Sequence, residues 1–244
     1  MNWRGACGQK RKFLILLNTV VPNPTKLADK FDMTFETLNN ALDHYLTATA
    51  QLGSPVRELL LPLVDQDSLD SLRALEDVTL PDELIAYFRR VDGYNDEALL
   101  EQDLFEPNFA WGMQALSVDG AVREHGQLQF AITEEAPNYW INGFLPILSD
   151  CAGSVVAVNC IASSSTFGAV YEMTDGVGLN RIASSLTEFF EAGTAAIVQG
   201  FIRYDDGMLL PEHPRFLLEA GPLYGDSPYF ARVGKMGTQI VDWR

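Results

Sequence analysis

The order of the periodic segments along the chain constrains the fold more than any single motif does. Apolar residues at helical spacing come first, between residues 34 and 53 and again between residues 81 and 93. Short apolar runs of strand length follow at residues 144–148, 155–161 and 167–173. Helices grouped before consecutive strands, without repeated alternation, are typical of α+β domains. We therefore predict an α+β fold with a largely antiparallel sheet covered by helices on one face, in a single domain with N- and C-terminal extensions.

Three helices have recognisable start or stop signals. Thr34 opens a segment with an apolar stripe, and this spacing predicts a helix from that residue onward. Pro81 suits the first turn of a second helix, where its missing N–H costs nothing, and Gly93 supplies the stop. Ser185 and Glu188 have the spacing of a capping box, which predicts a third helix after the strands.

The remaining segments have weaker patterns. Residues 94–107 are polar and lack periodicity, so we predict a long loop there. Leu128, Phe130 and Ile132 alternate with polar residues, as in a half-buried strand. Asp206-Gly207 is a turn signal in the tail, and it favours one added hairpin.

The charge changes sign near residue 32. Residues 1–32 carry six basic and two acidic groups, although the whole chain has a formal charge of −16. A chain this acidic is repelled by nucleic acid and by anionic lipid, so we predict no binding to nucleic acid or membrane. Residues 1–32 are interpreted as a basic N-terminal extension, either an ill-ordered tail or an arm that folds back onto the acidic body.

Three segments share a characteristic order and spacing. They are a Leu-Pro helix start with an Asp-Gly stop at 80–93, a strand, acidic-glycine turn and return strand at 144–158, and a strand followed by a capped helix at 168–190. Together they resemble the SUKH superfamily, which includes the yeast Smi/Knr cell-wall regulators and many bacterial toxin-immunity proteins. The resemblance implies a non-enzymatic binding module.

The resemblance also divides the chain. We predict a SUKH-like domain over residues 33–200 and a C-terminal extension over residues 201–244. The stretch at about 94–143 is longer than expected between the first two signatures, and we interpret it as an insert.

The sequence lacks the common motifs of catalysis and cofactor binding. It has no Gly-rich phosphate loop, no His-Glu-x-x-His and no Gly-x-Ser-x-Gly, and its three histidines lie far apart. We therefore predict no cofactor, no metal site and no catalytic residue.

Cys151 is the best candidate nucleophile because it follows Asp150 at a turn between two predicted strands. A catalytic thiolate needs a base, which only His125 or His213 could supply, and we expect the neighbouring carboxylate to suppress the reactivity of the thiol. A Cys-dependent hydrolase is thus the alternative from the enzyme class, whereas Cys160 is predicted to be a core residue.

The cysteines and the apolar runs also bear on location. Three cysteines form no paired spacing, which is typical of a reducing compartment, and no run reaches the ~20 apolar residues of a membrane-spanning helix. We predict a cytoplasmic protein.

The acidic residues are concentrated in one part of the sequence. Residues 58–106, which we call the acidic segment, hold fourteen acidic residues and three arginines. This segment is either a solvated face or a docking surface for a basic partner, and the nearby aromatic residues are either interface anchors or core. The predicted partner-binding residues are Asp92, Asp96, Glu97, Glu101, Asp103, Trp111, Tyr139 and Trp140.

The SUKH resemblance implies an immunity protein, and with the acidic segment it predicts a bacterial immunity protein that masks a basic toxin, such as a nuclease, by occlusion. The alternatives are the hydrolase that uses Cys151 and a scaffold in cell-wall or envelope regulation, as the yeast members of the resembling family suggest.

Overall fold

The structure is a computed structural model that describes residues 24–63, 67–101, 107–132, 140–174, 178–205, 207–212, 215–225 and 227–231. Within these ranges the helices are α1 (Pro24–Gln51), α2 (Val56–Leu59), α3 (Ser68–Arg73), α4 (Asp82–Phe88), α5 (Asp96–Glu101), α6 (Val118–Phe130), α7 (Leu186–Val198), α8 (Arg215–Glu219) and α9 (Pro228–Ala231), with a 3-10 helix at Gly221–Tyr224. The strands are β1 (Gln114–Ala115), β2 (Phe144–Ser149), β3 (Val155–Asn159), β4 (Val170–Thr174), β5 (Gly178–Ala183), β6 (Ile202–Asp205) and β7 (Met208–Pro211).

The main sheet is an antiparallel meander in the order β1-β2-β3-β4-β5, in which each strand pairs with the next in sequence. The predicted apolar runs at 144–148, 155–161 and 167–173 correspond to β2, β3 and β4. Strands β6 and β7 form a separate two-stranded sheet on either side of the predicted Asp206-Gly207 turn. The predicted α+β class and the tail hairpin are therefore confirmed.

Both faces of the main sheet are buried, whereas the sequence predicted a cover of helices on one face. Val156 and Val158 of β3 belong to the large core cluster, which also contains residues of α1, α4 and α7. Val155 and Ala157 alternate with them and belong to a second cluster with Leu128 of α6 and Trp140. Burial on both faces explains why β2 and β3 are almost continuously apolar.

Helix α1 begins at Pro24, ten residues before the predicted start at Thr34. Its buried side chains, from Leu38 to Ala48, recur at helical spacing and contribute to the large core cluster with residues of α4 and α7. The helix therefore crosses the charge boundary at residue 32, and the limits of the predicted domains remain predictions.

Glu83 connects α4 to the start of α7. Its carboxylate accepts hydrogen bonds from the backbone N–H of Leu186 at 2.8 Å and from the hydroxyl of Thr187 at 2.7 Å. At the same end of α7, the Ser185 hydroxyl accepts from the Glu188 N–H at 3.1 Å, which confirms the predicted cap. Glu83 therefore satisfies helix N–H groups that the α7 sequence alone leaves without acceptors.

The last turn of helix α6 covers residues 128–130 of the segment where alternation predicted a strand at 128–132. The Ser117 hydroxyl accepts from the Gly120 N–H at 3.0 Å and caps the helix. Leu128 is buried but Phe130 is 90% exposed, so the alternation does not mark a sheet face. The prediction was wrong because four earlier buried positions, with Leu128, follow the helical period over a longer stretch.

Helix α5 lies within the predicted loop at 94–107. The Asn95 side-chain oxygen accepts from the Ala98 N–H at 3.1 Å, and Leu99 is the buried residue of this short helix. Strand β1 and helix α6 also lie within the predicted insert at 94–143, and β1 forms one edge of the main sheet. In the described part of the chain, no helix is both long enough and apolar enough to cross a membrane.

Candidate partner-binding site

Three predicted contact residues lie together on α5. Asp96 and Glu97 are in its first turn, where carboxylates complement the helix dipole, and Glu101 is at its other end. All three are exposed. Asp103 and Tyr139 lie outside the described residues.

Asp92 has a structural role. It is half-buried, and its carboxylate accepts a hydrogen bond from the Val118 N–H at 2.7 Å, 26 residues further along the chain. This bond satisfies one of the free N–H groups at the start of α6. Asp92 therefore orders the fold around the acidic segment, and its contact with a partner stays a prediction.

Trp140 belongs to the core and not to a surface. It is 2% exposed, and its ring packs edge-on against His125 and Phe144, with ring centroids 6.2 and 6.4 Å away. The second face of the sheet needs an apolar cover, and the Trp140 ring supplies part of it. The expectation that it anchors a partner is therefore corrected in favour of the core alternative.

Trp111 occupies the tip of a two-residue hairpin. Ala110 and Met113 are bridged, and Trp111 and Gly112 between them have φ angles of 54° and 73°. Positive φ at both central positions is the pattern of a type I′ turn. The left-handed conformation costs a tryptophan about 1–2 kcal/mol, so the surrounding packing must hold it there.

An aromatic cluster from the C-terminal part of the chain surrounds the Trp111 ring. Phe216 of α8 and Tyr229 and Phe230 of α9 pack edge-on against it, with ring centroids 5.7, 5.1 and 6.1 Å away. Each such pair contributes about 0.5–1.5 kcal/mol beyond its buried area, which is enough together to offset the backbone strain. Trp111 thus fastens α8 and α9 to the rest of the fold.

A pocket of about 260 Å³ opens beside Trp111. Part of its wall comes from the main sheet and its turns, and the rest comes from α1, the β6–β7 hairpin, α8 and α9. The lining residues on which the argument depends are Trp111, Asp150, Ser154, Glu172, Phe216 and Tyr229.

The charged side chains among the described lining residues are Asp150 and Glu172, and both are negative. Glu172 is 5% exposed and lies on β4 between Val156 of β3 and Asn180 of β5. Burial, and secondarily the charge of Glu172, raise the pKa of the Tyr229 hydroxyl to about 12. Tyr229 therefore stays neutral at physiological pH, and Asp150 and Glu172 are the acidic side chains of the pocket.

Asp150 is exposed, and its carboxylate organises the β2–β3 turn. It accepts hydrogen bonds from the backbone N–H groups of Ala152 at 2.8 Å and Ser154 at 2.9 Å. Glu172 is the residue from which the pocket could have been predicted, because it is the single charged residue in the apolar run Ala169–Met173. That isolated charge was the sequence signal for the pocket, and the sequence interpretation missed it.

The predicted cysteine nucleophile has a different neighbour from the one that catalysis requires. Cys151 is exposed, and its thiol donates to the side-chain oxygen of Gln114 at 3.5 Å. His125 is 1% exposed and packs against Trp140, and burial lowers the pKa of its imidazole. His213 lies outside the described residues, so the structure does not show the Cys–His pair of the alternative function.

The second cysteine is buried as predicted. Cys160 is 0% exposed within the large core cluster, and burial raises the pKa of its thiol. Over the described ranges, no group of three or more His, Cys, Asp or Glu side chains is arranged so that it could hold a metal ion.

The profile of the SMI1 / KNR4 family (SUKH-1) matches residues 63–192, just over half of the 244 residues. The chain belongs to this family. The match confirms the SUKH resemblance, and it is consistent with a protein-binding module of the immunity type. No curated protein matches the chain.

The pocket is lined partly by residues inside the SMI1 / KNR4 match and partly by residues outside it. Trp111, Asp150 and Glu172 lie inside the matched residues, whereas Phe216 and Tyr229 lie beyond them. The family domain therefore supplies the carboxylates and the strained tryptophan, and flanking parts of this chain complete the aromatic wall.

Proposed function

We propose that this SMI1 / KNR4 protein is an immunity protein that binds a basic toxin domain, such as a nuclease, and masks it. The observation that carries the proposal is the exposure of carboxylates throughout the acidic segment. The exposed acidic residues among its described positions are Glu58, Asp67, Asp70, Glu76, Asp77, Asp82, Asp96, Glu97 and Glu101.

The arginines of the acidic segment offset little of this charge. The Arg73 guanidinium forms an ion pair with Asp70 at 2.7 Å, and that of Arg90 pairs with Asp43 of α1 at the same distance. A surface with this excess of one sign attracts a basic protein before contact and raises its association rate.

The proposed mechanism is occlusion, in which no covalent bond is made or broken. The surface of a nuclease that binds the phosphate backbone is basic, so it complements an acidic face in charge. Occlusion needs no nucleophile, so Cys151 has no role in this mechanism. A cytoplasmic location is part of the proposal, since a cytoplasmic toxin would have to be masked there.

Charge reversal on α5 tests the proposal. The test variant replaces Asp96, Glu97 and Glu101 by lysine, and the control variant replaces Glu36, Glu191 and Glu219 by lysine, which gives the same net charge from residues exposed on α1, α7 and α8. The partner is a toxin domain encoded beside the gene. Surface plasmon resonance at two salt concentrations supplies the rates.

We expect the α5 variant to associate about ten-fold more slowly at low salt and to lose most of its salt dependence, with little change in the dissociation rate. The control variant should associate within about two- to three-fold of the wild type, because its charges lie away from the docking face. Equal association rates for the two variants would remove α5 from the interface. A cell-wall enzyme recovered as the specific partner would favour the scaffold alternative.

A further inference from the structure

The pocket beside Trp111 has the dimensions of a site for one side chain. Pockets for cofactors and drug-sized molecules usually enclose about 300–1,000 Å³. This pocket encloses about 260 Å³, and the exposed Asp150 and the half-buried Ser154 of the β2–β3 turn form part of its lining. A protruding side chain of another protein fits that volume better than a cofactor does.

The charge of the lining selects a cation. Glu172 is 5% exposed as a residue, and Asp150 adds a second acidic side chain to the lining. Electrostatic attraction is stronger where water is excluded, so a positive group that enters beside Glu172 gains more than it would on the open surface.

The aromatic wall favours a planar cation. Trp111 and Tyr229 both line the pocket, with their ring planes at 77° to each other and centroids 5.1 Å apart. A guanidinium stacks on aromatic faces and donates a fork of hydrogen bonds to a carboxylate, whereas the more strongly hydrated ammonium of lysine acts as a point charge.

We propose that this pocket binds one arginine side chain of the partner, held by the Glu172 and Asp150 carboxylates and stacked against Trp111 or Tyr229. The inference rests on the proposed function, and it goes further by naming the group on the partner that is recognised. Since Phe216 and Tyr229 lie beyond the family match, this pocket would make recognition specific to this chain.

A probe without any partner tests the pocket directly. N-acetyl-arginine-amide is titrated into the full-length protein, and N-acetyl-citrulline-amide, which has nearly the same shape but no charge, is the matched ligand. The readout is the indole N–H resonance of Trp111 in proton–nitrogen correlation spectra, assigned by its loss in the Trp111→Phe variant.

We expect a saturable shift with the arginine probe and none with the citrulline probe. Glu172→Gln should weaken the arginine probe about ten-fold or more, since a buried carboxylate is lost. Asp150→Asn keeps an acceptor for the turn and should weaken it about three-fold. Glu219→Gln, a control on the exposed surface of α8, should leave the affinity within about two-fold.

Equal shifts with the two probes, or an unchanged affinity in both Glu172→Gln and Asp150→Asn, would overturn the inference. Asp150→Asn decides the matter if Glu172→Gln does not fold. A second outcome also overturns the inference. If the probe binds only after Arg232, Lys235 and Arg244 are replaced by glutamine, a basic side chain of this protein occupies the pocket, and the pocket does not bind a partner.

The probe experiment and the charge-reversal experiment test the pocket inference and the proposed function separately. If α5 reversal slows association but Glu172→Gln changes neither the probe affinity nor the dissociation rate of the toxin, the pocket inference fails and the proposed function stands. If the probe binds as expected but no basic toxin does, the proposed function fails and the arginine site remains.

Discussion

Removing the Glu83 carboxylate should destabilise the protein more than any other single change on the exposed side of α4. Glu83→Ala takes away the acceptor of the Leu186 N–H, and Leu186 is 0% exposed, so water has little access to that group. Loss of a hydrogen bond to a charged group costs about 1.5–3 kcal/mol, and loss of a helix cap costs about 0.5–2 kcal/mol. Because the two terms describe overlapping contacts, we expect a total of about 3 kcal/mol.

The measurement is unfolding by urea and by heat. For a chain of this size, about 3 kcal/mol corresponds to a fall of about 6–12 °C in Tm. Glu83→Gln should cost only about 1 kcal/mol, since it keeps an oxygen for Leu186 but loses the charge. Asp82→Asn is the matched control because Asp82 is the exposed neighbour in the same first turn, and its change should stay within about 0.5 kcal/mol.

A double-mutant cycle separates the bond to α7 from any general effect on α4. Thr187→Val removes the hydroxyl that donates to Glu83 at 2.7 Å. Glu83→Ala and Thr187→Val should be non-additive, with a coupling energy of about 1 kcal/mol. If Glu83→Ala is no more destabilising than Asp82→Asn, or if the two changes add independently, the connection between α4 and α7 is not what stabilises this end of the helix.

Three further predictions concern the cysteines, a buried histidine and the N-terminus. Iodoacetamide should label exposed Cys151 no faster than a small-molecule thiol, and it should not label buried Cys160 until the protein unfolds. Mass spectrometry of the peptides measures both rates. Much faster labelling of Cys151 would favour the hydrolase alternative. Burial lowers the pKa of His125 in the folded state below its unfolded value of about 6.5. As the pH drops below about 6.5, the unfolded state therefore takes up a proton before the folded state does. The free energy of unfolding should fall over this range, until the pH reaches the pKa of the folded state. His125→Leu should remove this slope in urea titrations at successive pH values; an unchanged slope would assign it to other groups. A chain that begins at Met33 should melt within about 5 °C of the full chain, since the described buried side chains of α1 begin at Leu38, and a larger fall in calorimetry would make residues 1–32 part of the fold.

The elements that the sequence predicted correctly have signals that are local. The Ser185 cap lies within one turn of α7, and β2, β3 and β4 are buried on both faces, so their apolar runs are nearly continuous. Helix α6 was missed because a local alternation at its end competed with a longer helical period. One of the hydrogen bonds at the start of this helix comes from Asp92, 26 residues earlier, so no stretch as short as a helix or a turn contains both partners.

The pocket as a whole could not be predicted because the residues that line it are even further apart in the sequence. Its charges come from a turn and from the middle of a strand, and its rings come from positions that are more than a hundred residues apart. Only the tertiary packing brings Trp111 and Tyr229 to 5.1 Å. The sequence interpretation looked for acids on the acidic segment and for aromatic residues beside it, whereas the buried acid of the pocket, Glu172, lies on a strand outside that segment.

Trp111 explains why these separate elements are connected in this chain. A smaller residue in the left-handed turn would avoid part of the strain, but it would leave Phe216, Tyr229 and Phe230 without the ring against which they pack. Those three rings come from the part of the chain that the family match does not cover, and the tryptophan comes from the part that it does. The same ring therefore fastens the C-terminal elements and lines the pocket that they complete. Loss of the Phe216 ring of α8 or the Tyr229 ring of α9 would consequently alter the proposed arginine site even though both carboxylates lie in the family domain.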